Sequence, residues 1–270
     1  MLIKTSAIKG YAIIGSNGAI GSVSDFLFDD TSWMVRWLVV ETGSWLFGRK
    51  VLLPPSALGH PDANAKQFPV RLTMEQIKDS PDVGTERSVS RQMETVIYDH
   101  YGWSPYWGNG FYMGGYGYGY GGGYMGSAMM TSPTPEMKQR LERQREEDDP
   151  HLRSIDVVTG YHLHAADGEI GHVEDFLVDD TDWSIHYLVV DTKNWWPAKK
   201  VLISPRSART IDWQHSLVNL DVDRRKVKEG PAYDASTVVD RTYEDQFASY
   251  YGAGRQGDPN ELKSDARGIS

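Results

Sequence analysis

Cysteine is absent from the 270-residue chain. That removes disulfides, thiolate metal centres and a cysteine nucleophile together. The sequence also holds no nucleophile elbow, no phosphate-binding glycine loop and no dinucleotide-binding glycine pattern. Long apolar runs are missing: no stretch nears the roughly 20 residues that cross a bilayer. Residues 1–15 are interrupted by Lys4 and Lys9 and hold no signal-peptide core. Positive charge is scarce, with 28 Lys and Arg against 37 Asp and Glu and a net charge of −9. Residues 152–252 carry 11 basic against 17 acidic side chains. Such a chain does not draw phosphate backbones to itself. These absences lead us to expect a soluble, cytoplasmic, non-enzymatic protein with no cofactor, no nucleic-acid partner and no transmembrane segment.

What is present is an internal repeat. Gly10-Tyr11, Gly18-Ala19-Ile20-Gly21-Ser22-Val23-Ser24-Asp25-Phe26-Leu27-Phe28-Asp29-Asp30-Thr31 and Trp33 return 150 residues later. The second copy reads Gly160-Tyr161, Gly168-Glu169-Ile170-Gly171-His172-Val173-Glu174-Asp175-Phe176-Leu177-Val178-Asp179-Asp180-Thr181 and Trp183. A unit of about 100 residues is domain-sized and too long for a solenoid repeat. The expected organisation is a first domain over 1–102, a linker over 103–151, a second domain over 152–252 and a disordered tail over 253–270.

Each copy reads as short strands followed by helix. Asn17-Gly18 and Asp167-Gly168 are hairpin turn signals. A strand over 20–28 should end at the Asp29-Asp30-Thr31 turn, whose short polar side chains bond to the backbone. Alternation places Val35, Trp37 and Val39 on one face of the next strand and Arg36 on the other. A fourth strand over 50–53 stops at Pro54-Pro55, and a fifth covers 68–72, matched by 218–222. Thr73 and Asp223 should cap short helices. Longer helices are expected over 88–101 and 237–251, where Met93, Val96, Ile97 and Tyr101 recur at helical spacing. Several short strands with turns between them predict a mainly β protein of two tandem small barrels, since closure removes exposed edges. The linker opens on a Gly- and Tyr-rich stretch over 103–126, with no Lys or Arg as far as Thr134. It reads as a spacer or self-association segment.

Few residues offer chemistry. Asp25, Asp29 and Asp30, with Asp175, Asp179 and Asp180, lack the dense oxygen run and central glycine of a calcium loop, and read as strand-end turns. Lys50 and Lys200 recur beside the paired aspartates but read as structural ion pairs or solvated side chains. His162 and His164 lie two apart on one strand and are a weak alternative metal pair, with His172 or His186 near. The first copy has Ala12 and Ile14 where these two stand, so the fold does not need a metal there. Aromatic loops are the better candidates. Trp33, Trp37, Trp45, Trp183, Trp195 and Trp196 cannot all be buried in barrels this small. Trp45 with Trp195 and Trp196 falls between the third and fourth strands, and Trp103 and Trp107 follow the first copy. Exposed tryptophans are frequent interface anchors. The partner is then an unknown protein or a second copy of the chain, with contact to a peripheral membrane complex open.

The glycine–Asp-Phe-Leu pattern over 18–30, Trp37-Leu38-Val39-Val40-Glu41-Thr42 and Arg49-Lys50-Val51-Leu52-Leu53-Pro54-Pro55 together resemble the PRC-barrel family. The second copy is similar over 168–180, 187–192 and 199–205. The segment Ser90–Trp103 is similar to the extension of bacterial two-barrel members. The resemblance implies a small barrel of five or six strands with a short helix. That barrel forms the cytoplasmic part of the photosynthetic reaction-centre H subunit and the C-terminal domain of a ribosome-maturation factor. In both it contacts other proteins and catalyses nothing. Neither the membrane helix of the one nor the extra N-terminal domain of the other is present in this sequence. The implied function is an interaction or scaffold protein, an accessory or assembly factor for a larger complex. The alternative is a sensor of a small ligand or metal built on the second barrel.

Overall fold

A computed structural model describes residues 1–81, 89, 91–106, 152–192, 199–231, 233, 234 and 239–251. The first copy runs β1 (Leu2–Lys4), α1 (Thr5–Ile8), β2 (Ala12–Gly15), β3 (Gly18–Asp29), β4 (Met34–Thr42), β5 (Lys50–Leu53), β6 (Gln67–Pro69), α2 (Met74–Lys78) and α3 (Arg91–Tyr101). The second runs β7 (Leu152–Ser154), α4 (Ile155–Val158), β8 (His162–Ala165), β9 (Gly168–Asp179), β10 (Ile185–Asp191) and β11 (Lys200–Ile203). It continues with β12 (Ala208–Asp212), β13 (Leu217–Leu220), α5 (Arg224–Glu229) and α6 (Arg241–Tyr251). The protein is mainly β, in two sheets ordered β5-β4-β3-β2-β6 and β11-β10-β9-β8-β13-β12.

Local chemistry fixes most of these elements. The hairpin between β2 and β3 turns at Gly18 (φ +157), and its counterpart at Gly168 (φ +141). Gly21 and Gly171 answer a different need. A Cβ there would lie 2.1 Å from the Glu41 carbonyl oxygen and 2.0 Å from that of Asp191, so only glycine lets the strands meet. Thr73 caps α2 in a full capping box with Gln76, and the Asp223 carboxylate caps α5 through the Lys226 N–H. Asp29 accepts from the Thr31 and Ser32 N–H groups, closing the expected turn, and Asp179 accepts from Thr181.

The face assignment of β4 needs revision. Val35, Leu38 and Val40 enter the main core, while Trp37 and Val39 pack into a second cluster with Ile97 and Tyr98 of α3. A register shift between Leu27 and Phe28 takes the strand out of strict alternation. Both faces are covered, one by the sheet's own core and one by the helix.

The two copies are joined by a reciprocal exchange. β1 of the first copy pairs with β9 of the second, Ile3 opposite Val178. β7 of the second copy pairs with β3 of the first, Arg153 opposite Phe28. The registers are equivalent under the 150-residue offset. Leu152 is buried in the cluster beneath α3, and Leu2 in the cluster beneath α6 with Leu177, Tyr187 and Phe247. One hydrophobic cluster runs through both copies and takes in Phe26, Phe28 and Trp33 together with Phe176 and Trp183.

Candidate interaction surface

The repeated aspartates belong to the exchange. Asp25 Oδ2 accepts from the Ser154 hydroxyl at 2.5 Å and its Oδ1 from the Asp156 N–H at 3.1 Å. Asp175 Oδ1 accepts from the Thr5 hydroxyl at 2.8 Å and the Ser6 N–H at 3.2 Å, and its Oδ2 from the Ser6 hydroxyl. Each carboxylate thus holds the first turn of the short helix that follows the other copy's exchanged strand. Burial pushes the Asp25 carboxyl above its ordinary range, against the pull of the Ser154 and Phe26 hydrogen bonds. Lys200 pairs with Glu174 at 2.5 Å, and Asp30 with Arg153 at 2.9 Å.

A second reciprocal device was not legible as such. Trp33 (φ 55) and Trp183 (φ 63) both adopt the left-handed region, a strained conformation for a bulky residue. The Val35 N–H donates to the Trp183 carbonyl at 2.9 Å, and the Ile185 N–H to the Trp33 carbonyl at 2.8 Å. Trp183 lies 6.3 Å from Phe26 and 6.1 Å from Phe68, both in the first copy. The repeated Trp at the end of the Asp-Asp-Thr turn was the available signal. Nothing in one copy alone says that its side chain packs into the other.

Of the aromatic candidates, Trp45 is half-buried against the core, its indole N–H donating to the Ile20 carbonyl at 2.6 Å. It acts as the peg of a tight loop over 43–48, closed by Gly48 N–H to Gly43 carbonyl at 3.2 Å. The residue this loop presents is Phe47, which is 97% exposed at φ 56. Phe47 was not singled out in the sequence, because the tryptophan beside it carries the stronger interface prior. Trp103 is half-buried and stacks on Tyr101 with centroids 4.3 Å apart. Trp107, Trp195 and Trp196 lie outside the described residues.

His162 is exposed and pairs with Glu169 at 3.0 Å. His164 faces Glu169 across the hairpin, and His172 faces His162. Among the described residues no group of three or more His, Asp or Glu side chains is arranged to hold a metal ion. Tyrosine hydroxyls near α6 stay protonated to higher pH than usual. Burial, first of all, pushes the Tyr233 and Tyr251 hydroxyls up to about 12. Among the described residues no helix is long and apolar enough to cross a membrane.

The fold defines a class: a mainly β protein of two sheets, each of which takes in a strand from the other copy, with helices packed over their outer faces. Residues 2–79 match the PRC-barrel domain family. A relative from Deinococcus radiodurans, described as an uncharacterized protein, is 33% identical over 85 residues. That alignment covers 31% of this chain and 30% of the relative, so the chain matches under a third of that protein's length.

Proposed function

We infer that the protein is a non-enzymatic interaction module, a scaffold or assembly factor that works in the cytoplasm through contact with another protein. The second copy, which repeats the first in sequence and in strand pairing, is on this reading a PRC barrel too. The observation that carries the reading is the loop over 43–48. A fully exposed phenylalanine on a loop pegged by a half-buried indole is an aromatic anchor presented with little conformational freedom left to lose. The equivalent loop of the second copy, with Trp195 and Trp196, would offer a second anchor. The occupant is a protein with an apolar socket, since Phe47 carries no polar group to satisfy.

The test is affinity capture from the native cells, with membrane and soluble fractions kept apart. The bait is the full chain, the chain without residues 107–150, and the Phe47→Asp variant. One stoichiometric partner retained by the wild type and lost with Phe47→Asp is the expected result. A partner held equally by Phe47→Asp removes the loop from the interface. Absence of any stoichiometric partner in both fractions overturns the adaptor reading.

A further inference from the structure

The internal repeat supplies its own control. Positions 150 apart that serve the same structural purpose need similar residues, and four close neighbours depart from this together. Gly59, Pro61, Ala63 and Phe68 of the first copy stand where the second has Arg209, Ile211, Trp213 and Val218. In the first copy this stretch is no strand and makes only isolated bridges, Leu58 with Val70 and Asp62 with Gln67. Pro61 has no N–H to offer a neighbouring strand. A Cβ on Gly59 would lie 2.9 Å from Pro69 Cγ. Phe68, meanwhile, is in contact with Trp183 from the other copy.

In the second copy the same stretch is strand β12, with a register shift at Arg209, between Ala208 and Thr210. β12 pairs with β13 along one side and ends its sheet, and among the described residues no strand pairs with its outer edge. Where Phe68 fills space, the smaller Val218 stands. A cavity of about 210 Å³ lies between the copies, bounded by Asp30 and Trp33 on one side and by β12 with Trp213 on the other. Asp30 is already engaged by Arg153, whose guanidinium lies 4.0 Å over the Trp213 ring. Arg209 is different: it is exposed, and among the described residues it makes no hydrogen bond or ion pair. The Thr210 hydroxyl accepts from Asn219 at 3.1 Å, leaving its own proton to donate.

The geometry points to a docking groove for an extended, acidic peptide segment of a partner protein. The segment adds a strand to the outer edge of β12 and sets a carboxylate on Arg209, beside Trp213. Main-chain hydrogen bonds along the open edge supply affinity that does not depend on sequence. The guanidinium supplies selection, because a charged residue on an edge strand repels indiscriminate pairing and admits a strand that neutralises it. The first copy, its edge blunted by Pro61, offers no such groove. This surface is separate from the Phe47 loop and stands whether or not that loop binds anything.

The test uses the full chain labelled with nitrogen-15. The probes are the capped peptide Thr-Val-Thr-Glu-Thr-Val-Thr, the same peptide with Lys for Glu, and glutarate as a small dicarboxylate. The expected result is saturable binding of the Glu peptide, with shifts confined to the Trp33 and Trp213 indole N–H groups and the β12 amides. Arg209→Glu should weaken it about tenfold or more. Ile211→Pro, the first copy's own residue at this position, should abolish it while the remaining resonances stay folded. No shift with the Glu peptide at millimolar concentration overturns the proposal. So does equal binding of the Lys peptide, or binding unchanged by Arg209→Glu. Glutarate binding as tightly as the peptide would reduce the site to an anion pocket and overturn the strand addition.

Discussion

At the scale of single residues, Asp25 shows how a repeated acid can be structural without being an ion-pair partner. Asp25→Ala leaves the Ser154 hydroxyl and the Asp156 N–H without their acceptor. The expected cost is about 1–3 kcal/mol, read as a lower urea midpoint. Asp25→Asn keeps an acceptor oxygen and should cost less. The pH dependence has a definite sign. Burial raises the folded carboxyl above its ordinary 3.8, so the folded state holds a proton that the unfolded chain releases. The stability this proton contributes is complete below 3.8 and is lost as pH rises through the raised folded value. Asp25→Asn removes that dependence. The variant should therefore gain on the wild type as pH rises from about 3.8 to neutrality. A constant stability gap across that range would refute the assignment. The repeat made Asp25 and Asp175 visible; their partners lie more than a hundred residues away, and short-range pattern carries no information about them.

At the scale of elements, the glycine pattern Gly18-Ala19-Ile20-Gly21 divides its labour. Gly18 turns the hairpin, and Gly21 lets β3 pass close to β4. Gly21→Ala and Gly171→Ala press a methyl group onto a backbone carbonyl in a paired strand, which cannot yield without breaking register. Each should cost roughly 1–3 kcal/mol or more by chemical denaturation. Gly10→Ala, where nothing lies within 4 Å but φ is +81, is the control. It should cost only the left-handed strain, about 1–2 kcal/mol. Should Gly21→Ala prove no worse than Gly10→Ala, the close-approach account fails. Strands, turns and caps of this kind were readable because alternation, Asn-Gly turns and capping residues are local signals. The three-residue strands β1 and β7 were not. Leu2-Ile3-Lys4 and Leu152-Arg153-Ser154 are too short to show a period, and their value lies wholly in the sheet that each one joins.

At the scale of the whole molecule, the exchange sets how the two copies depend on each other. Each sheet carries a strand that belongs to the other copy, each core cluster beneath a helix ends on the other copy's leucine, and each Trp turn packs across the junction. The repeat itself was plain in the sequence, but repetition is silent on which copy completes which sheet. A protease site placed within residues 107–150 turns this into a measurement. If the exchange holds the molecule together, the cut halves stay in one particle on size exclusion and keep the near-ultraviolet dichroism of the intact chain. Cutting also converts an intramolecular association into a bimolecular one. A covalent tether supplies an effective concentration of order millimolar, whereas the cut halves meet at their bulk concentration. The unfolding midpoint of the cut protein should then rise with protein concentration, while that of the intact chain should not. Halves that part on the column in native buffer, each retaining native dichroism, would mean that the two copies fold independently and that the exchanged strands are ornament on two self-sufficient folds.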